Sequence, residues 1–115
     1  MTDVYAGVSQ WLSIPEVAEI MQISTGKVSR LLQEHALISV RRDGKEMIPA
    51  ELLVEAEPLH SLKGTVLVLL DAGFSAESAN EWLYTENDSL GMTPIAALLA
   101  GRRAEIRRLA QALAL

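Results

Sequence analysis

The sequence predicts a mainly α-helical fold with one small β-hairpin. Two observations support this: apolar residues recur at three- and four-residue spacings along most of the chain, and one Asp43-Gly44 pair separates two runs rich in β-forming residues. Half of the 115 residues are hydrophobic, which is enough apolar surface to form a core without cross-links. The chain contains no cysteine, so disulfides and thiolate metal sites are excluded.

The first helix is predicted over residues 13–21. Ser13 can cap its N-terminus, and Glu16, three residues later, can reach back to the backbone of Ser13 in a capping box. Val17, Ile20 and Met21 then fall on one face of the helix, as expected for a helix that packs against a core.

A second helix follows after a link of about three residues, and Ser24 is its predicted cap. Val28, Leu31 and Leu32 form its apolar stripe, because they lie within roughly 100° of one another around the helix axis. The opposite side is polar and basic. Two short helices joined in this way, the second with polar residues outward, are typical of a helix-turn-helix.

Residues 37–49 predict a β-hairpin, because Asp43-Gly44 supplies the two positive φ angles that its turn needs. Three cations, Arg41, Arg42 and Lys45, lie at or beside the tip. We interpret this hairpin as a wing. Residues 13–49 are therefore predicted to form a winged helix-turn-helix, which a C-terminal helical bundle follows.

The rest of the chain predicts that bundle. After a helical turn at residues 49–53, a break at residues 55–58 marks the joint between the two halves. Further helices are predicted over residues 62–72, over residues 75–84, between Thr93-Pro94 and Gly101, and over residues 102–113. The predicted domains are a flexible tail (residues 1–11), the winged domain (residues 12–58) and a helical C-terminal domain (residues 59–115).

Charge is segregated along the chain. The formal net charge is −5, yet residues 22–45 hold five cations against two acids. The Debye length is ~8 Å at physiological salt, so acids elsewhere are largely screened and DNA binding is permitted. The candidate DNA-binding residues are Ser24, Thr25, Lys27, Ser29, Arg30, Gln33, Arg41, Arg42 and Lys45. Arg41 and Arg42 point to opposite faces of their strand, so we expect at least one of them to contact DNA.

A second basic cluster lies near the C-terminus and comprises Arg102, Arg103, Arg107 and Arg108. Its spacing is typical of a solvated helix face, and contact with phosphate or with an acidic partner is the alternative. His35 is expected in the core or at its rim, and His60 at the surface. Without cysteine, these two histidines offer no recognisable metal site.

The string LSIPEVAEIMQIS, from Leu12 to Ser24, resembles the first helix and turn of MerR-like and excisionase-like winged helix domains, and KVSRLL continues the likeness. The resemblance implies that the second helix enters the major groove and that the wing lies along the backbone or minor groove. By position, the residues that would face DNA are Thr25, Lys27, Arg30, Arg41, Arg42 and Lys45. Ser29 departs from the pattern, because relatives often carry a large or basic residue there.

The C-terminal half extends the likeness through Trp82-Leu83, Asp88-Ser89-Leu90, Thr93-Pro94 and the arginine-rich last helix. Together with the winged domain, it looks like a small actinobacterial family of DNA-binding proteins. The same half is distantly similar to toxin-binding domains of certain antitoxins. The sequence thus indicates a double-stranded DNA-binding protein, sequence-specific or nucleoid-type, that regulates transcription. The alternative is an antitoxin-like or adaptor-like interaction module whose C-terminal helices bind a protein partner or a second copy.

Other classes of function find no support in the sequence. It has no glycine-rich phosphate loop, nucleophile elbow or metal-ligand spacing, so we expect neither an enzyme nor a cofactor. Its longest apolar run is too short to span a bilayer, and the N-terminus does not resemble a signal peptide. We therefore expect a cytoplasmic protein with no membrane partner.

Overall fold

The computed structural model describes residues 3–113. These residues form two compact units: Ala6–Lys63 is one, and the described residues up to Tyr5 with the chain from Gly64 onward are the other. The helices are α1 Ile14–Met21, α2 Thr25–Gln33, α3 Leu62–Asp71, α4 Ala76–Tyr84, α5 Pro94–Leu99 and α6 Arg103–Ala112. The strands are β1 Trp11–Ser13, β2 Val40–Arg42, β3 Lys45–Pro49, β4 Leu53–Val54 and β5 Glu57–Pro58. The predicted mainly α-helical fold with a small hairpin is confirmed.

Helix α1 begins at the predicted cap. The Ser13 hydroxyl accepts the Glu16 N–H at 3.3 Å, and the Glu16 carboxylate accepts the Ser13 N–H at 2.8 Å. These two bonds form the capping box. The backbone N–H of Ser13, and then its hydroxyl, lower the pKa of Glu16 below its ordinary value, because both favour the ionised carboxylate. Val17 and Ala18 are buried and hold the helix against the core.

Helix α2 is capped by Ser24, whose hydroxyl accepts the Lys27 N–H at 3.1 Å. Val28 is fully buried on the inner side of the helix, as its place in the apolar stripe predicts. His35, just past the helix, is half-buried and has a φ of 65°. That position matches the rim site expected for it.

The three-stranded antiparallel sheet has the order β1-β3-β2. Leu12 of β1 lies opposite Ile48 of β3, and both side chains are buried beneath the sheet. The tip of the β2–β3 hairpin has positive φ angles at Asp43 (52°) and Gly44 (77°). The Asp-Gly turn is therefore where the sequence predicts it.

The segment after the sheet has a helical turn where one is predicted, but residues 55–58 belong to a hairpin and not to a break. Residues Ala50–Leu52 form a single 3₁₀ turn, and β4 and β5 then pair as a two-stranded hairpin. The Leu59 N–H donates to the Leu52 carbonyl at 2.8 Å and extends this pairing. The hairpin turn is Glu55-Ala56, with φ angles of 52° and 63°. Neither residue is typical of such a turn, so no local pattern indicated it.

Besides the described residues up to Tyr5, the second unit contains most of α3 and all of α4, α5 and α6. Ser75 and Thr93 cap α4 and α5, and Gly73 and Gly101 end α3 and α5 with positive φ angles. These stop and start signals place the helices within a residue or two of the predicted bounds. The buried side chains that form the core of this unit are Val66, Leu69, Ala79, Leu83, Leu90, Ile95, Ala97, Leu98, Ile106 and Ala110.

The N-terminal segment differs from the expected flexible tail. Tyr5 is buried, and its ring lies 5.2 Å from that of Tyr84 at an interplanar angle of 57°. Strand β1 begins at Trp11, the last residue of the expected tail. Neither a single buried aromatic residue nor a three-residue strand produces a periodic pattern in the sequence, so neither feature could be predicted. The domain limits inferred from the sequence otherwise stay a prediction, and residues 1, 2, 114 and 115 lie outside the described part.

Within residues 3–113, none of the helices is both long and apolar enough to cross a membrane.

Candidate nucleic-acid interface

The outer face of α2 is the first part of the candidate interface. Thr25, Lys27, Arg30 and Gln33 are exposed there. In the described part of the chain, none of these four side chains makes an ion pair or hydrogen bond. Ser29 is half-buried on the flank of the helix. The α2 face therefore presents two cations whose charges no neighbouring acid neutralises.

The link between α1 and α2 fixes the start of that face. Gln22 ends α1 with a φ of 59°, and the Ile23 N–H donates to the Ala18 carbonyl at 3.0 Å. Ser24, which starts α2, is exposed, but its hydroxyl already accepts one hydrogen bond as the cap. It can still donate its own proton to a ligand.

The wing separates its two arginines, as their adjacent strand positions predict. The Arg41 guanidinium donates to the Gly44 carbonyl at 2.9 Å and so lies across the turn. On the opposite strand, Glu46 faces Arg41 and accepts a hydrogen bond from the Ser39 hydroxyl at 2.7 Å. This side of the wing therefore carries one acid, Glu46, opposite one cation, Arg41.

Arg42 lies on the other side of the sheet. Its Cζ is 5.0 Å from the centroid of the Trp11 ring, a distance typical of a cation–π contact. Lys45 is the cross-strand neighbour of Arg42. Two like charges at opposed positions repel each other across a hairpin.

These residues line a surface cavity of about 370 Å³. Its walls are Trp11, Arg42, Asp43, Lys45 and Met47. Two cations and one carboxylate give the cavity a net positive charge, and Trp11 and Met47 supply an apolar floor. An anionic group attached to a flat apolar moiety fits these surroundings.

The predicted site residues thus lie in two groups within one compact unit. The α2 group is exposed except for Ser29, and the wing group is exposed except for Arg42, which Trp11 partly covers. Trp11 is not among the residues predicted from the sequence, because its contact depends on strand pairing between positions far apart in the chain. The described residues contain no cluster of three or more histidine or acidic side chains that could hold a metal ion.

Two short helices joined by a tight link, followed by an antiparallel sheet with a projecting hairpin, define a winged helix-turn-helix protein. A family model described as "DNA-binding protein Rv2175c, wHTH domain" matches residues 1–53, and one described as "Rv2175c C-terminal domain of unknown function" matches residues 59–114. The chain belongs to the Rv2175c family.

Individual relatives agree with this assignment. The DNA-binding protein Rv2175c of Mycobacterium tuberculosis (strain ATCC 25618 / H37Rv) is 32% identical over 114 residues, which cover 88% of this chain and 78% of the relative. The NMR structure of Rv2175c matches with a TM-score of 0.86 at 30% identity, over 99% of this chain and 87% of that one. The winged N-terminal part followed by a helical C-terminal part is therefore confirmed.

Proposed function

We propose that this chain binds double-stranded DNA, with α2 as the recognition helix in the major groove and the β2–β3 hairpin as a wing on the backbone. The observation that carries the proposal is the placement of cations in an acidic chain. Lys27 and Arg30 lie on the outer face of α2, and Arg42 and Lys45 face each other on the wing. The relative named a DNA-binding protein supports the same ligand.

The two groups have different tasks in this proposal. Arg30 is exposed, and an arginine there can make a bidentate contact with a guanine edge. The wing cations neutralise phosphates, which fixes the register of the protein on the duplex but carries no sequence information. This is the docking mode of MerR-like and excisionase-like winged domains, to which we assign the N-terminal unit.

The biological role follows from the ligand. A helix that reads bases beside a wing that holds the backbone is suited to a transcriptional regulator, located with the nucleoid in the cytoplasm. Binding, and not catalysis, is the proposed activity. With ~4 phosphates neutralised per protomer, log K should fall with log salt at a slope near −3.6.

The test is a fluorescence polarisation titration of the full chain against a duplex selected from a random pool, at several salt concentrations. In the variant R41Q/R42Q, the slope should become shallower by ~0.9 for each phosphate that is no longer neutralised, on every duplex. In R30Q, affinity should fall more for the selected duplex than for a random one. R102Q, which removes one charge as R30Q does, is the control for charge removal away from the proposed interface, because Arg102 is already paired with Glu105 at 2.9 Å.

Two results contradict parts of the proposal. If R41Q/R42Q leaves the salt slope unchanged, the wing is not part of the interface. If R30Q lowers the affinity for both duplexes equally, Arg30 contacts phosphate and does not read a base. If the full chain gives no shift at ~50 mM salt, where counterion release most favours binding, DNA is not the ligand.

A second candidate function is protein interaction through the C-terminal unit, either with another protein or with a second copy of the chain. Leu67 and Leu99 are 40% and 39% exposed there. Exposed leucines scattered singly are common in monomers, so DNA binding remains the better supported function. Sedimentation of the full chain over a range of concentrations distinguishes self-association from a monomer.

A further inference from the structure

The last helix carries a row of arginines outside the winged unit. Arg103 and Arg107 are one helical turn apart on α6, and Arg108 follows; all three are exposed. We call Arg103, Arg107 and Arg108 the α6 arginines. They make no ion pair or hydrogen bond with any described residue, whereas the adjacent Arg102 donates to both carboxylate oxygens of Glu105 at 2.9 and 3.0 Å.

Two of the α6 arginines are unfavourably placed for the helix that carries them. Arg103 begins α6, where a positive charge opposes the helix dipole. Arg103 and Arg107 repel each other as like charges four residues apart. Both placements work against the helix, so ordinary helix stability does not explain them.

A glycine in α3 leaves room for one of these side chains. A Cβ built on Gly64 would lie 2.6 Å from Nη2 of Arg107, so the guanidinium rests over the helix backbone at that point. Glycine inside a helix lowers its stability relative to alanine. The space at Gly64 therefore admits the end of the Arg107 side chain, which a larger residue there would displace.

We infer that the α6 arginines form a second DNA-contacting surface, which binds the phosphate backbone from the C-terminal unit. Exposed guanidinium groups one helical turn apart match a ligand with repeated anionic groups, and arginine binds phosphate oxygens in a bidentate manner. Gln111 continues the row and is exposed and polar. The row thus has no large apolar side chain at its centre, unlike most protein–protein interfaces.

This inference rests on the proposed DNA binding but concerns a different surface. In the full chain, R103Q/R107Q should reduce the magnitude of the salt slope by ~1.8, equally on selected and random duplexes. R102Q, which removes one charge at the N-cap of the same helix, is the control and should leave the slope unchanged. A gain-of-charge variant, Q111R, adds a cation to the row and should steepen the slope by ~0.9.

The outcomes separate the two claims. If R41Q/R42Q flattens the slope while R103Q/R107Q and Q111R do not change it, the second surface is wrong and the proposed function stands. Polyglutamate, an acidic polymer, can be tested as a competitor of the duplex for the wild-type chain. If R103Q/R107Q abolishes this competition but leaves the salt slope of duplex binding unchanged, the α6 arginines bind an acidic protein and the inference is wrong. If the chain binds no duplex at ~50 mM salt, both claims fail. Q111R tests the second DNA-contacting surface even if the variant R103Q/R107Q unfolds.

Discussion

The Arg42 guanidinium lies over the Trp11 ring, with Cζ 5.0 Å from the centroid. An arginine at the tip of a hairpin otherwise samples many rotamers, and ordering it on binding costs free energy. Trp11 reduces that cost, because it belongs to β1, which pairs with β3 and is thus fixed relative to the wing. Trp11 is therefore a positioning residue for the proposed phosphate contact of Arg42.

Replacing Trp11 tests this role. W11L removes a cation–π interaction worth ~0.5–1 kcal/mol, so duplex affinity should fall about two- to fivefold. The salt slope should not change, since Arg42 keeps its charge and its phosphate. W11F retains an aromatic ring and should recover most of the affinity. Fluorescence polarisation at several salt concentrations measures both quantities.

The double variant W11L/R42Q provides the control. If Trp11 acts through Arg42, the substitution W11L should have little further effect once Arg42 is replaced by glutamine. A decrease in affinity as large in the R42Q background as in the wild-type chain would mean that Trp11 contributes to binding by itself.

Asp43 adds a negative charge to the same cavity. Asp43 lines the cavity together with Arg42 and Lys45, and its negative charge opposes an incoming phosphate. It also occupies a turn position with a φ of 52°, which asparagine adopts as readily as aspartate. In the proposed complex, the acid therefore limits affinity at a place where the turn geometry does not require a charge.

Among the elements, the two tight hairpins of the first unit share a geometry but not a sequence. The wing turn is Asp43-Gly44, with φ angles of 52° and 77°, and the β4–β5 turn is Glu55-Ala56, with φ angles of 52° and 63°. Left-handed backbone suits glycine and asparagine, whereas other residues adopt it at a cost of roughly 1 kcal/mol or more. The second turn is thus strained, and the burial of Leu52 beside it holds it in place.

Relieving that strain should stabilise the protein. E55N/A56G should raise the free energy of unfolding by about 1 kcal/mol, because asparagine and glycine favour the turn. The reverse change in the wing, G44A, should lower it by a similar amount. Chemical denaturation measures both, with E55Q as the control for removal of the charge. A decrease for E55N/A56G would show that the β4–β5 turn is not strained.

The sequence could predict those elements whose signals are local. Ser13 with Glu16, Ser24, and Asp43-Gly44 each specify a cap or a turn within four residues, and the structure has all of them where predicted. Glu55-Ala56 could not be predicted, since the pairing of the flanking strands overrides the turn preference of these residues. At the candidate site, exposure of the α2 face followed from helical periodicity, but the contact of Trp11 with Arg42 depends on which strands pair.

At the scale of the whole molecule, the two ends of the described part, residues 3–113, belong to the same compact unit. The described residues up to Tyr5 belong with the chain from Gly64 onward, and Ala6–Lys63 forms the other unit. Within its unit, Tyr5 is buried and packs its ring against Tyr84. The stability of the C-terminal unit therefore depends on residues that precede the winged unit in sequence.

Removal of the Tyr5 side chain tests this dependence. Y5A should lower the stability of the C-terminal unit by about 3 kcal/mol, a value typical for deleting a buried aromatic side chain, and Y5F should preserve most of the packing. Hydrogen exchange measured amide by amide should show reduced protection in α3–α6, while the amides of α1 and α2 keep theirs. An equal reduction in α1 and α2 would instead mean that the two units unfold as one. In that case a change at Tyr5 would also weaken DNA binding through the winged unit.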